Sequence, residues 1–386
     1  MGLEFYTPKK LVYGENTFFE IVPNLKTFHV QRAFVLYSSS ALTNELQQSL
    51  KSLCLDANIH VFFFEMPKGE PTLALLEIAN KLFRKNNCNG VVAIGGGSAI
   101  DLAKAVAAVS KNESQTFRSL AELQKIDRYP LIAVPTTAGT GSEATKISVL
   151  TDSRVRVKYN PGHVDLIPDV AILDPILTLN VPKHVTAFTG IDALTHAIEA
   201  YVSTKANDVT NFYALQAIQM ISQSVVKAYY HPTNIQARSQ MLLGSYYAGL
   251  AFSNSSTNLA HAMGRAIGTK WNLPHGQSVA IMHPFVVKYS IKSCKNQYDD
   301  VAKALALTDG SEVERYLLNL NHTLQVWDEV KFIAEDEFLN SIEEMTCNAM
   351  SGNGILTNHQ VPTATDVHQI YLDLHEFMKI SIVQGI

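Results

Sequence analysis

The chain has 386 residues, 47% of them hydrophobic and 17% charged, which suffices to bury a large core and to divide into two domains. Its 31 basic and 35 acidic side chains leave a net charge of −4, so there is no basic footprint for nucleic acid and no polybasic patch for a membrane surface. No run of about 18 apolar residues is present, the opening MGLEFYTPKK lacks a signal peptide's apolar stretch, and the isolated Cys54, Cys88, Cys294 and Cys347 fit a reducing cytoplasm.

Strands and helices alternate along the first half. RAFVLY (32–37) and HVFFFEM (60–66) read as strands, with helical spacing in 41–53 between them and in 71–86 after them. GVVAIGGG (90–97) is an apolar strand ending in glycines, followed by the helical SAIDLAKAVAAVS. YPLIAVPTT (129–137) repeats the arrangement, and VAILDP (170–175) is a further strand. β-branched strands alternating with helices predict a parallel sheet flanked by helices.

Two glycine-rich turns stand out. Gly95, Gly96 and Gly97 let the backbone approach a ligand, and the helix beginning near Ser98 offers free N–H groups to a pyrophosphate. Ser98 directly follows Gly97, so this is not GxGxxG, and a plain tight turn is the alternative. VPTTAGTGSEAT (134–145) supplies hydroxyls from Thr136, Thr137 and Thr140 and has no lysine of the kind an NTPase loop requires. Two such turns in one sheet favour a dinucleotide across its carboxyl edge, with Lys158 free to pair with a phosphate or reach a ribose.

After Pro182 helical periodicity dominates, over 190–203, 208–230, 234–252, 255–268, 276–292, 331–350 and 364–380, while 307–330 gives no clear signal. The expected division is an α/β domain, 1–180, and an all-helical domain, 181–386. In TGIDALTHAIEAY, Asp192 and His196 lie at i and i+4 on one helix face among apolar neighbours. They read either as a surface pair or as half of a metal site. His261 and His275 bracket HAMGRAIGTKWNLPH, where Pro274 should break the helix. One carboxylate and three imidazoles suit iron or zinc and offer too few oxygens for calcium or magnesium. Spacing does not distinguish a closed structural site from a catalytic one.

GGGSAIDLAK, PTTAGTGSEAT, the ILDP element, TGIDALTHAIEAY and HAM…PHG, in that order, resemble the iron-containing (group III) alcohol dehydrogenases over nearly the whole chain. The resemblance implies a dehydroquinate-synthase-like two-domain fold, an α/β dinucleotide-binding domain followed by an all-α domain. It implies NAD(P)-linked oxidation of a small alcohol, or reduction of an aldehyde, by a homodimer or larger homo-oligomer. Carried over by position, Asp192, His196, His261 and His275 hold Fe²⁺, with Zn²⁺ as the alternative. Gly95, Gly96, Gly97, Ser98 and Asp101 line the pyrophosphate site, and Thr136, Thr137, Thr140 and Lys158 complete the cofactor site. Val149 and Phe252 fall near the nicotinamide and substrate.

The chain departs from the family pattern in places. Arg265 stands where many members carry a histidine thought to move the alcohol proton. Arginine stays protonated and cannot act as an ordinary base, but it can bind a carboxylate or phosphate bidentately. Ser38 ends the first predicted strand where NAD-preferring members often carry an acid, so NADP(H) is slightly preferred over NAD(H). NHQVPTATD matches the family's C-terminal element only loosely. Within the superfamily, glycerol-dehydrogenase-like and maleylacetate-reductase-like oxidoreductases compete with this reading. From another class, so does a non-catalytic nucleotide-binding relative.

Overall fold

Along Arg32–Ser38 successive side chains enter opposite hydrophobic clusters, Phe34 and Leu36 one of them, Ala33, Val35 and Tyr37 the other. That period of two, with both faces apolar, is the signature of a strand covered on each side. The computed structural model describes residues 2–112, 115–155, 157–328, 330 and 333–384. They form two compact units, Met1–Asn180 and Val181–Ile386.

In the first unit the strands are β1 (Lys10–Tyr13), β2 (Arg32–Ser38), β3 (His60–Met66), β4 (Gly90–Gly95), β5 (Leu131–Pro135), β6 (Leu150–Asp152), β7 (Val157–Tyr159) and β8 (Val170–Leu173). Six of them form one parallel sheet in the order β1-β8-β5-β4-β2-β3, and β6 and β7 make a separate antiparallel pair. Helices α1 (Ile21–Thr27) and α2 (Asn44–Asp56) cover one face, through Ile21, Leu25, Leu50 and Cys54. Helices α3 (Leu73–Lys85) and α4 (Gly97–Val109) cover the other, through Leu76, Phe83, Ile100 and Val106. Thr43 and Thr72 cap α2 and α3, accepting from Leu46 N at 3.3 Å and Leu75 N at 3.1 Å. From β2 the chain passes outward to β3 and then returns to the far side of β2 as β4. The carboxyl ends of β2 and β4 therefore flank the point where strand order reverses, the place where open parallel sheets bind ligands.

A buried ion pair clamps the start of this sheet. Arg128 donates to Asp169 at 2.5 Å and to the carbonyls of Asp165, Tyr129 and Ile167, while Asp169 accepts from Leu131 N at 3.0 Å.

The second unit is helical: α5 (Lys183–Tyr201), α6 (Asp208–Tyr230), α7 (Ile235–Asn254), α8 (Leu259–Trp271), α9 (His275–Ser290), α10 (Lys295–Ala304), α11 (Val313–Thr323), α12 (Glu335–Met350) and α13 (Ala364–Gln384). Helix α5 packs on α6, α7 and α9, and α8 on α9 and α12. Close approach explains two helical glycines. A Cβ on Gly190 would lie 2.7 Å from Val225 Cγ2, and one on Gly264 would lie 2.7 Å from Val279 Cα. Helix α5 thus begins seven residues before the expected 190, running through Gly190 instead of starting at it. Helix α8 runs to Trp271, where Asn272 in the left-handed region ends it, and His275 opens α9, one residue before the expected start at 276. Residues 331 and 332 of the expected 331–350 helix lie outside the described residues. No helix among the described residues is long and apolar enough to cross a membrane.

Candidate metal centre and nucleotide-binding loops

The two glycine-rich turns of the first unit follow neighbouring strands, with Gly95 opposite Pro135. A Cβ on Gly95 would collide with Ser38 Oγ, so the end of β2 lies directly against the end of β4. A Cβ on Gly96 would sit 3.0 Å from Thr137 Oγ1, and one on Gly97 2.6 Å from Thr140 Oγ1. The threonine hydroxyls are therefore held over the first turn of α4, whose N-cap, Gly96, supplies no capping side chain. Thr136 is buried and donates its N–H to Gly95 O at 3.0 Å. Ser98 lies in the first turn of α4, partly exposed.

Other members of the expected cofactor set are engaged within the protein. Asp101 accepts from Ser142 Oγ with one carboxylate oxygen and from Val149 N, at 3.0 Å, with the other. Lys158, on β7, is paired with Glu70. Asp101 thus braces the loop that carries Val149. Sequence reasoning missed its neighbour Lys104, three residues after Asp101 on the mostly apolar helix α4. It is fully buried and donates to Thr145 O at 2.9 Å, Thr145 Oγ1 at 3.0 Å and Ile147 O at 2.6 Å. Burial pulls its pKa down to about 8, against the opposing charges of Asp101 and Glu143.

In the second unit three helices converge. Asp192 and His196 lie one turn apart on α5, His261 is in the first turn of α8, and His275 is the first residue of α9. Gly276 allows the last approach: a Cβ there would collide with Phe188 O and lie 3.2 Å from Asp192 Cβ. Asp192, His261 and His275 each offer a ligand atom within 4.8 Å of the others. Asp192 Oδ1 is 3.5 Å from His261 Nε2 and 3.9 Å from His275 Nε2, and Asp192 Oδ2 is 3.9 Å from His196 Nδ1. His196 lies beside this group, its ring stacked between His261 and Phe252 with centroids 4.3 Å from each.

Asp192 Oδ1, His196 Nδ1 and His261 Nε2 are buried without a hydrogen bond. Such groups are costly unless something else satisfies them, and an Asp–His donor set fits a divalent transition metal. Burial pushes Asp192 up, but the surrounding imidazoles outweigh it and hold the carboxyl well below the usual range. Burial pulls His196 down to about 3 despite Asp192, so its imidazole is neutral. Burial also acts on His261, but Glu199 and Asp192 overcome it and raise the ring to about 9.

Glu199 is the residue of this centre that sequence reasoning missed. It follows His196 by three positions and Asp192 by seven, which places all three on one face of α5. Fully buried, it accepts from His261 Nδ1 at 2.6 Å and Asn258 N at 2.8 Å through Oε2, and from Ala260 N at 2.7 Å through Oε1. It holds the first turn of α8 and fixes His261 with Nδ1 protonated and Nε2 directed at Asp192. Arg265, one turn beyond His261, packs its guanidinium over Gly352.

An α/β unit built on a six-stranded parallel sheet with glycine-rich turns at its switch point, joined to a helical unit carrying an Asp–His cluster, defines a class. Models of the iron-containing alcohol dehydrogenases match both parts, the N-terminal one over residues 8–175 and the C-terminal one over residues 186–375. The chain belongs to the iron-containing alcohol dehydrogenase family. It is a metal-dependent, NAD(P)-linked alcohol dehydrogenase, an oxidoreductase acting on CH–OH. It is 38% identical to the probable alcohol dehydrogenase EutG of Escherichia coli, over 78% of this chain and 76% of that one. It is 32% identical to the NADPH-dependent butanol dehydrogenase of Clostridium saccharobutylicum, over 88% of this chain and 90% of that one. It is 31% identical to the NAD-dependent methanol dehydrogenase of Bacillus methanolicus, over 95% and 98%. A crystal structure of 1,3-propanediol oxidoreductase superposes with a TM-score of 0.90, at 26% identity, over 97% of this chain and all of that one. NAD- and NADP-dependent relatives both occur.

Proposed function

We propose that Asp192, His196, His261 and His275 hold the metal, Fe²⁺ with Zn²⁺ as the alternative, and that the chain interconverts small alcohols and aldehydes. The carrying observation is the set of buried, unsatisfied ligand atoms on Asp192, His196 and His261. A divalent ion bound there supplies a Lewis acid for an alcohol or carbonyl oxygen. Asp192 anchors the cluster as a carboxylate, Glu199 orients His261, and Phe252 supports His196 by stacking. On the first unit, Gly95, Gly96, Gly97, Ser98, Thr136, Thr137 and Thr140 receive the coenzyme's pyrophosphate, and Asp101 holds Val149 and its loop in place. Lys158 reaches the coenzyme only by leaving Glu70. The neutral, compact Ser38 beside Gly95 admits a 2′-phosphate, which supports a slight preference for NADP(H). We further propose a homodimer or larger homo-oligomer working in the cytoplasm.

The test is a panel of alcohols and aldehydes with NADH and NADPH, run on protein stripped of metal and then reloaded with Fe²⁺ or Zn²⁺. Turnover should be absent from the stripped protein and return on loading. Undiminished turnover by metal-free protein would overturn the proposal.

A further inference from the structure

Arg128, Arg238 and Arg265 have each lost much of their contact with solvent, and the first two show how such a charge is ordinarily kept. Arg128 is bonded to Asp169 and three carbonyls. Arg238 donates to Pro232 O at 2.8 Å, Thr186 Oγ1 at 2.8 Å and Val181 O. Arg265 has neither: among the described residues no carboxylate pairs with it, no acceptor takes its guanidinium protons, and burial alone acts on its pKa, pulling it down. A guanidinium offers five donors, and leaving them unpaired away from water is costly.

Its position gives that charge a use. On α8 it lies four residues past His261, on the same face of the helix and one turn from the Asp192, His261 and His275 cluster. The fold leaves room for it, since a Cβ on Gly352 would lie 2.6 Å from Arg265 Nη2. The same point is 3.0 Å from Ala349 O, so the guanidinium stands near the carbonyl end of α12. That end favours a cation without occupying its donors.

We infer that Arg265 binds an anionic group of the substrate, so that the preferred aldehyde or alcohol carries an oxyanion such as a carboxylate at one end while its carbonyl or hydroxyl addresses the neighbouring metal cluster. This rests on the metal-centre reading above. A planar guanidinium with free donors suits bidentate binding of an oxyanion.

The experiment compares butanal with 4-oxobutanoate, which adds a carboxylate to the same chain, on the metal-loaded enzyme and on Arg265→Gln and Arg265→Lys. The wild type should favour 4-oxobutanoate by about tenfold or more in kcat/KM. Arg265→Gln should lower that ratio about 10- to 100-fold, chiefly through KM, and Arg265→Lys should keep part of it. A wild-type ratio near one, or a ratio unmoved by Arg265→Gln, would overturn the inference, leaving Arg265 as a brace for α12. If Arg265→Gln does not fold, the wild-type ratio and Arg265→Lys decide. If neither aldehyde is turned over, the reading of the metal centre falls instead. The inference is then decided by melting with succinate, which should raise the wild-type midpoint and not that of the variants; no rise in the wild type would overturn it.

Discussion

Replacing Glu199 by glutamine tests the metal centre where its geometry is tightest. The carboxylate accepts three N–H groups, from His261, Asn258 and Ala260, at 2.6 to 2.8 Å. An amide of the same shape has one acceptor oxygen. If that oxygen keeps Asn258 and His261, the new NH₂ points at Ala260 N–H and leaves two donors face to face. If it turns over, the NH₂ meets His261 Nδ1 and forces the proton onto Nε2, the nitrogen directed at Asp192. One of the carboxylate's bonds is lost in the first orientation and two, to Asn258 N and His261 Nδ1, in the second, the loss of a charge-assisted bond costing about 1.5–3 kcal/mol, with about 1–3 kcal/mol more for a buried N–H left without an acceptor. Metal affinity should fall about 10- to 100-fold, the usual consequence of removing a ligand histidine's carboxylate partner. Zn²⁺ competition against a chromogenic chelator reads the affinity, and thermal unfolding of metal-free protein reads the stability cost. Glu199→Asp, which keeps the charge but withdraws it by one methylene, should fall between. A folded Glu199→Gln protein that binds Zn²⁺ within twofold of the wild type would refute the reasoning.

His275 is about half exposed and His261 nearly buried; both alanine variants should lose metal on elemental analysis, but only His261→Ala should also lower the melting temperature of the metal-free protein markedly. Ser38→Asp should shift the ratio of kcat/KM values toward NAD(H), and an unchanged ratio would show that Ser38 does not set the preference. Burial pushes Asp169 up, but Arg128, with Lys9 and the Leu131 N–H as two further donors, outweighs it and lowers its pKa. Its contribution is therefore present above the ordinary carboxylate pKa of about 3.9 and lost as pH falls through the lower folded value. Asp169→Asn should cost about 3 kcal/mol at pH 7 by urea unfolding, with the gap narrowing below about pH 4; a gap independent of pH would exclude the ion pair as its source.

The central strand β2 was legible because it is buried on both faces, 32–37 being β2 short of Ser38, and the edge strand β3 because its run of aromatic and β-branched residues, 60–66, matches it to the residue. Strand β1 was not, because Lys10–Tyr13 is short, lies at the sheet edge and is mostly exposed, so no apolar run marks it. The three-residue strands β6 and β7 are stabilised by each other, which no local periodicity reveals. Helices α10 and α11 hold their apolar positions among many charges, and α11 lies within the stretch that gave no clear signal. At the site, Asp192 and His196 could be paired from helical spacing, but bringing in His261 and His275 required the motif order. The role of Glu199 depends on the first turn of α8 arriving beside α5, a fact of packing that the pattern HAIE does not contain.

The edge strand β1 sets a schedule for synthesis. Its partner β8 follows at a separation of about 160 residues, the distance that also separates Lys9 from Asp169, with which it pairs at 2.8 Å. At ribosomal rates of about 5–20 residues per second, β1 waits on the order of ten to thirty seconds for a neighbour. Its exposed, lysine-led surface is the kind that discourages pairing with other chains meanwhile. A nascent chain stalled before Val170 would carry β2 to β5 with one edge of the sheet still uncovered, making this interval the one in which chaperone contact should be densest.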